Sequence, residues 1–325
     1  MMLRRRFLAL AGSAAALSTA PRLVRADDWP AKTIRAIVPF TAGSATDIIP
    51  RTVFNQLSAD LGQTIVVENR TGAGGSLGAA AAAHAEPDGY TWLAISSAHT
   101  IIPSVYPNAG YDAVNDFTGV ITLGNLPNVL VVAPSAGFKT VKDLVAAAKA
   151  KNGTITYASA GAGTATHFAA ERLRLSAGFE GNHIPFRGGP EAMTEVMTGR
   201  VDFYFAPLAL VLPLIKDGKL QALAVSTPMR ASALPDVPTT LEAGYANSDY
   251  NFWVAVFVPK KTPAAIVSKL YQQTQKTLAT PAMKEKLGKL GVEPMPMTSA
   301  ELDAMVKAEI PVNAAIVKAT NIKAG

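Results

Sequence analysis

The chain has 325 residues, a formal net charge of +6 and no cysteine. Without thiols it can build neither a disulfide scaffold nor a thiolate metal site, so a sizeable hydrophobic core has to stabilise it. The charge excess sits at the N-terminus: the first 26 residues hold Arg4, Arg5, Arg6, Arg22 and Arg25 and no acid, which leaves 25 basic and 24 acidic residues beyond them, and no basic arm that would point to nucleic acid.

In chain order, Arg4-Arg5-Arg6-Phe7-Leu8 reads as the arginine pair of a twin-arginine export signal. An apolar stretch follows over 7–20, and Val24-Arg25-Ala26 offers a small-residue cleavage site. The apolar stretch is too short to span a bilayer as a stable helix. The expectation is a signal peptide at 1–26 that is cleaved and a periplasmic product of 299 residues; an uncleaved anchor is the alternative. Beyond it no stretch approaches the ~18 apolar residues of a membrane helix. The remaining length suits two domains of about 150 residues or one larger one.

Short β-branched runs then alternate with longer Ala/Leu-rich runs. Strands are predicted at 33–40, 64–68, 91–96, 119–123, 128–133, 154–159, 182–185, 201–206, 220–226 and 252–258. Helices are predicted at 46–60, 75–85, 139–150, 165–176, 189–198, 208–217, 262–279, 281–290 and 298–319. This is the pattern of an α/β fold with mainly parallel sheets. Two apolar strands in Pro-flanked segments, 129–133 and 254–258, mark where the chain would cross between two lobes. The first lobe would then take 27–127 and 257–325, and the second 128–256.

Three times a β-type run passes through a Gly/Ser/Thr-rich turn into a helix. The turns are Thr41-Ala-Gly-Ser44, Thr71-Gly-Ala-Gly-Gly-Ser76 and Gly161-Ala-Gly-Thr164. A helix start carries unpaired N–H groups and partial positive charge, so each turn is a ready anion site. Three such turns without a catalytic cluster beside them point to a protein that holds a small anion rather than one that transforms it.

Other constellations are thinner. Gly74-Gly-Ser-Leu-Gly78 matches the G-x-S-x-G elbow of serine hydrolases, with Ser76 as nucleophile and Asp143 and His167 as possible partners. However, residues 69–73 separate it from its strand, and no His-Gly oxyanion loop precedes it. Gly72-x-Gly74 opens a dinucleotide fingerprint, but Leu77 stands where its third glycine belongs. No two of the four histidines lie three or four residues apart, which argues against a metal site. His84 reads as surface filler, whereas His99 and His167 could line a cleft. Asp47 reads as a cap or dipole-matched acid at the helix start, or as an acid that holds the first turn's amides from behind. Arg187 is either a carboxylate fork or a surface charge, and Trp29, Trp92 and Trp253 read as packing.

These motifs together resemble the Bug-type solute receptors of tripartite tricarboxylate transporters. The likeness runs through Ile37-Val-Pro-Phe-Thr-Ala-Gly-Ser-Ala-Thr-Asp47, Val67-Glu-Asn-Arg-Thr-Gly-Ala-Gly-Gly75 and Ala85-Glu-Pro-Asp-Gly-Tyr-Thr91. It continues through Tyr157-Ala-Ser-Ala-Gly-Ala-Gly-Thr-Ala-Thr-His167, Pro185-Phe-Arg-Gly-Gly-Pro190, Gly199-Arg-Val-Asp-Phe203 and Val258-Pro-Lys-Lys-Thr-Pro263. The resemblance implies a type II-like periplasmic-binding-protein fold of two lobes with a hinge and a central cleft. It further implies a non-enzymatic receptor, without cofactor or metal, that delivers a carboxylate to a membrane permease and works as a monomer.

Carried over by position, the implied ligand contacts are Phe40, Ala42, Gly43, Ser44, Ser159, Gly163, Thr164, Ala165 and His167. Gly74, Ser76, Ser97, His99 and Arg187 are further candidates. Two departures stand out. The family usually reads Pro-Ala-Gly-Gly at the first turn, so Thr41 and Ser44 add two hydroxyls here. Many members carry an acid where Ala206 stands, and its loss argues for a ligand without an amine. A secreted serine hydrolase and a sensory binding protein are the alternatives.

Overall fold

The computed structural model describes residues 29–151 and 153–323; the signal peptide read at 1–26 lies outside them. Ten strands form in chain order: β1 (Ile34–Val38), β2 (Ile65–Asn69), β3 (Thr91–Ser96), β4 (Phe117–Asn125), β5 (Asn128–Val132), β6 (Thr156–Ser159), β7 (Asn182–Pro185), β8 (Phe203–Pro207), β9 (Gln221–Val225) and β10 (Trp253–Pro259). They make two five-stranded sheets. The first has the order β2-β1-β3-β10-β4 and the second β7-β6-β8-β5-β9. Ten α-helices pack on them: α1 (Ala45–Leu61), α2 (Ser76–Ala83), α3 (Ile102–Val105), α4 (Val141–Ala150), α5 (Ala165–Ala177), α6 (Gly189–Met197), α7 (Leu208–Lys216), α8 (Ala264–Ala279), α9 (Pro281–Lys289) and α10 (Ser299–Thr320).

Local chemistry sets the element ends. Gly62 takes the left-handed conformation (φ 64°) that closes α1, and its N–H bonds back to Ala59 O. Thr140 and Asp143 cap α4 reciprocally, as Thr298 and Glu301 cap α10. The single turn α3 escapes the periodicity reading because four residues carry too little of a 3.6 period.

The sheets are mixed rather than mainly parallel. β1 runs parallel to β2 and β3, and β6 parallel to β7 and β8, but β10 is antiparallel to both its neighbours and so is β5. β5 and β10 are the strands that enter a sheet from the other lobe. No helical crossover precedes them, so the rule that makes βαβ strands parallel does not apply. β10 lies wholly in the first sheet, so the return into that lobe begins by Trp253 and not at 257.

The two connections lie side by side. Leu126 N–H donates to Phe252 O (2.7 Å), Ser226 N–H to Asn128 O (2.8 Å) and Tyr250 N–H to Ser226 O (2.7 Å). The Tyr250 hydroxyl reaches Ser97 Oγ at 2.8 Å. Nearby, Glu309 on α10 accepts from Thr100 and Trp253, and burial raises its carboxyl pKa despite these bonds.

Trp29, Trp92 and Trp253 are all core residues, and Phe54 packs edge-on to Trp92 at 5.4 Å. Phe257 sits among His99, Phe117 and Trp253, with ring centroids 4.6, 6.2 and 6.4 Å away. Phe257→Ala empties the middle of this cluster and should cost about 3–5 kcal/mol. A lowered midpoint with unchanged slope in urea unfolding is the expected result; a loss below about 1 kcal/mol would mean that the cluster closes over the gap.

Candidate functional site

Two turns, one from each sheet, are built to one plan. The first is Ala42-Gly-Ser-Ala-Thr-Asp47, between β1 and α1; the second is Ala162-Gly-Thr-Ala-Thr-His167, between β6 and α5. Gly43 and Gly163 have φ of 79° and 73°, a region that other residues enter at a cost. Each glycine N–H donates to the side chain four residues on: Gly43 to Asp47 Oδ2 (2.9 Å) and Gly163 to His167 Nδ1 (3.2 Å). Ser44 and Thr164 take the N-cap positions in extended conformation, and neither side chain caps its helix.

Each acceptor is held from behind. Asp47 Oδ1 accepts from Arg51 Nε and Asn69 Nδ2, both at 2.8 Å, and Asn69 also donates to Phe40 O at 2.9 Å. Burial alone would raise the Asp47 pKa. The bonds from Arg51, Asn69 and Gly43 outweigh it and keep the carboxyl below its usual 3.8. His167 is buried and stacks on His183 with centroids 3.7 Å apart. Burial first, then the neighbouring His183 and Arg174, pushes its pKa well below 6.5. Because Nδ1 accepts the Gly163 N–H, the neutral ring carries its proton on Nε2, which faces Glu171 Oε1 at 3.9 Å. Glu171 in turn accepts from Arg174 and the Tyr157 hydroxyl.

The glycine amides are taken inside the turns, and the Ser44 and Thr164 amides bond to Thr41 O (3.1 Å) and Gly161 O (3.3 Å), so the free donors are the first amides of each helix. The N–H groups of Ala45 and Thr46, and of Ala165 and Thr166, have no acceptor among the described residues. All four residues line one cavity of about 30 Å³ between the sheets. Phe40, Ser44, Ser96, Ala160, Thr164, Gly189, Tyr204, Pro207, Leu210 and Phe252 complete its wall. No Asp, Glu, His, Lys or Arg is among them, so charge in the cavity meets only amides, hydroxyls and helix dipoles. That volume holds roughly one or two waters. Closure brings Tyr106 Oη to Ala162 O (3.2 Å), and a Cβ on Gly188 would stand 2.3 Å from Thr41 Oγ1.

Of the residues named from sequence, Phe40, Ser44, Thr164 and Ala165 line this cavity. Ala42 and Gly43 are exposed on the outer side of the first turn, and Gly163 is buried inside the second. Gly74 abuts the second lobe: a Cβ there would meet Tyr106 at 2.6 Å and Ala162 O at 2.9 Å. Ser76 is buried at the start of α2. The Ser159 hydroxyl bonds to Gly161 and, at 2.6 Å, to His183 Nε2, so it shapes the second turn. Ser97 holds Tyr250, and Arg187 is exposed.

Two readings are corrected. His99 does not reach the cleft. It is fully buried between Tyr111, Phe117 and Phe257, donates from Nε2 to Ala113 O, and burial lowers its pKa to about 4. The Ser76-Asp143-His167 arrangement does not exist: Asp143 caps α4 by accepting from Lys139 and Thr140, and His167 is occupied by Gly163. Sequence reading missed Ala45, Thr46, Thr166 and Tyr204. The first three could have been found by following each turn one residue into its helix, since N1 and N2 amides are the ones left free.

Asp47→Asn should loosen the first turn by about 1–3 kcal/mol, because charge-assisted bonds to Gly43 and Arg51 weaken together. A carboxyl with a folded pKa below 3.8 gives stability that is complete above that value and fades as pH falls through the folded one. Urea midpoints measured between pH 7 and pH 3 should therefore drop more steeply for the parent than for Asp47→Asn. Parallel profiles would show that the carboxylate does not lock the turn.

A family model described as "Tripartite tricarboxylate transporter family receptor" matches residues 49–322. The chain is similar to Protein BugT of Bordetella pertussis, with 34% identity over 319 residues, covering 98% of this chain and 96% of that one. It is also similar to an R. palustris protein solved with adipate, at 31% identity and a TM-score of 0.87 over 91% of this chain and 99% of that one. MatC from Rhodopseudomonas palustris, solved with bound malate, gives 29% identity and a TM-score of 0.84 over 89% and 100%. The two sheets and their central cleft are thus a two-lobed periplasmic-binding-protein fold, and the chain belongs to the tripartite tricarboxylate transporter family receptors.

Proposed function

We propose that the protein captures a small carboxylate between its lobes in the periplasm and presents it to a membrane permease, without chemical change. The carrying observation is the pair of helix starts, Ala45–Thr46 and Ala165–Thr166, whose free amides line one cavity without any charged side chain. Each start contributes roughly 0.3–1 kcal/mol toward an anion, and charge-assisted hydrogen bonds about 1.5–3 each. A few of these, less the cost of association, support a Kd of about micromolar. Related proteins solved with adipate and malate support the ligand class. Among the described residues no helix is long and apolar enough to cross a membrane, which agrees with a receptor that works beside its permease.

The cavity also speaks to what is refused. Ala206, where an acid would stand, is fully buried in β8, and no carboxylate lines the wall. An ammonium held there would lie buried without a counter-charge, which is expensive. The ligand is therefore a carboxylate without an amine. The residues proposed to touch it are Phe40, Ser44, Ala45, Thr46, Thr164, Ala165 and Thr166, with the turns at 42–43, 74–76, 159–163 and 187–188 shaping and closing the cleft.

Calorimetry should show adipate, malate or a similar plain acid binding with a Kd of about micromolar, and aspartate and glutamate at least about tenfold weaker. Tighter binding of the amino acids would overturn the amine exclusion, and silence towards every carboxylate would overturn the proposal. Gly188→Ala gives an independent check. Its backbone is extended, so alanine fits the open form, but the added methyl meets Thr41 on closure. Affinity should fall about tenfold with the unliganded melting temperature unchanged, and unaltered affinity would mean that these turns do not meet in the bound form.

A further inference from the structure

We propose that the protein carries a second binding site, outside the cleft, for an apolar monocarboxylate of medium chain length. The site is a cavity of about 550 Å³ beside the hinge, between β4, the helices α8 and α9 and the segment 292–297. It shares no lining residue with the cleft cavity. Its size is that of a site for an organic ligand, and its wall has the usual character of one, mostly apolar with a few polar groups.

The wall is fixed from both lobes. Glu293 exchanges both main-chain bonds with Asn125, the last residue of β4, at 2.9 and 2.8 Å. Met295 O accepts from the Thr122 hydroxyl. Glu293 Oε1 accepts from Ser232 N–H at 3.0 Å, which brings a residue of the second lobe into the wall. Gly291 has a φ of 70° and passes under the second lobe: a Cβ there would stand 2.6 Å from Leu208 Cδ2. Pro294 and Pro296 fix φ on either side of Met295.

What this wall offers decides its occupant. Ile121, Leu123, Leu278 and Leu287 are apolar, and Met295 and Met297 add unbranched thioethers that adapt to a flexible guest. The polar groups are nearly all engaged: the Thr122 hydroxyl with Met295 O, Gln275 Nε2 with Tyr271 Oη (3.1 Å), and the Glu293 carboxylate with Ser232. The exception is the exposed Lys284, which forms no ion pair among the described residues. One cation beside an apolar wall suits a hydrocarbon body with a single negative end. A short dicarboxylate would press its second charge against carbon, which is costly, so this site and the cleft take different acids.

The test is calorimetry on the full chain with hexanoate, octanoate and decanoate. Each buried methylene is worth about fourfold, so affinity should rise about tenfold per two carbons, to a Kd of about 100 μM or tighter. Ala279→Trp and Gly288→Trp add bulk at small, exposed positions of the wall, and a Cβ on Gly288 meets nothing within 4 Å. At least one of them should weaken octanoate about tenfold. Lys284→Met should weaken octanoate about threefold to fivefold and leave octan-1-ol unchanged; it carries the test if neither Trp variant folds. Gly188→Ala, which hampers closure of the cleft, should leave octanoate affinity within about twofold. No binding of the three acids by the parent, or octanoate affinity unchanged in all three wall variants, overturns this site. Loss of octanoate in Gly188→Ala alone places the acid in the cleft, which overturns this site and leaves the carboxylate receptor standing.

Discussion

The first turn of an α-helix holds N–H groups that its own carbonyls cannot reach, and this protein sets two such turns against each other. Nearly everything notable about the cleft follows from that arrangement. The donors belong to the main chain, so no lysine or arginine is needed, and the wall is made of small and apolar residues. An anion held this way sits in fixed dipoles that need no reorganisation when it arrives. It also leaves the site's selectivity to shape and to the few side-chain hydroxyls that remain.

Such amides are useful only if the turns that carry them are stiff. The chain solves this twice with the same geometry and different chemistry. In the first lobe a buried carboxylate, tied to Arg51 and Asn69, accepts the Gly43 N–H. In the second a neutral imidazole, stacked on His183, accepts the Gly163 N–H. An acceptor at the third position of each helix pulls the glycine amide back into the turn, and the amides of the first two helical residues stay free. Substituting a histidine for the aspartate keeps the geometry without a second negative charge near the anion.

The hinge supplies the other half of the design. Two connections run beside each other, bonded main chain to main chain at Leu126 and Phe252, while Tyr250 ties the return segment to Ser97 in the first lobe. A joint of this kind permits rotation with little rearrangement inside either sheet. What meets on closure is small: Gly188 against Thr41, Gly74 against Ala162 O, and Gly163 against Val105. Side chains larger than hydrogen at those places would hold the lobes apart.

Much of this was legible beforehand. The alternation of β-branched and Ala/Leu-rich runs marks all ten strands, and the starts of α5 and α6 fall at 165 and 189 as read, because turn glycines and helix periodicity are local signals. The role of Asp47 behind the first turn was one of two readings, beside an ordinary cap or dipole-matched acid, and the bond from Gly43 N–H decides it. Strand direction at β5 and β10 was not, because hydrophobic period carries no polarity and depends on which lobe the chain arrives from. Nor was the burial of His99 in an aromatic cluster, or the gathering of Tyr204 and Ser44 in the lining of one cavity. Those are set by residues distant in sequence coming together, so the sequence by itself determined the elements and the turn chemistry, while tertiary packing alone decided which amides and hydroxyls were left for a ligand.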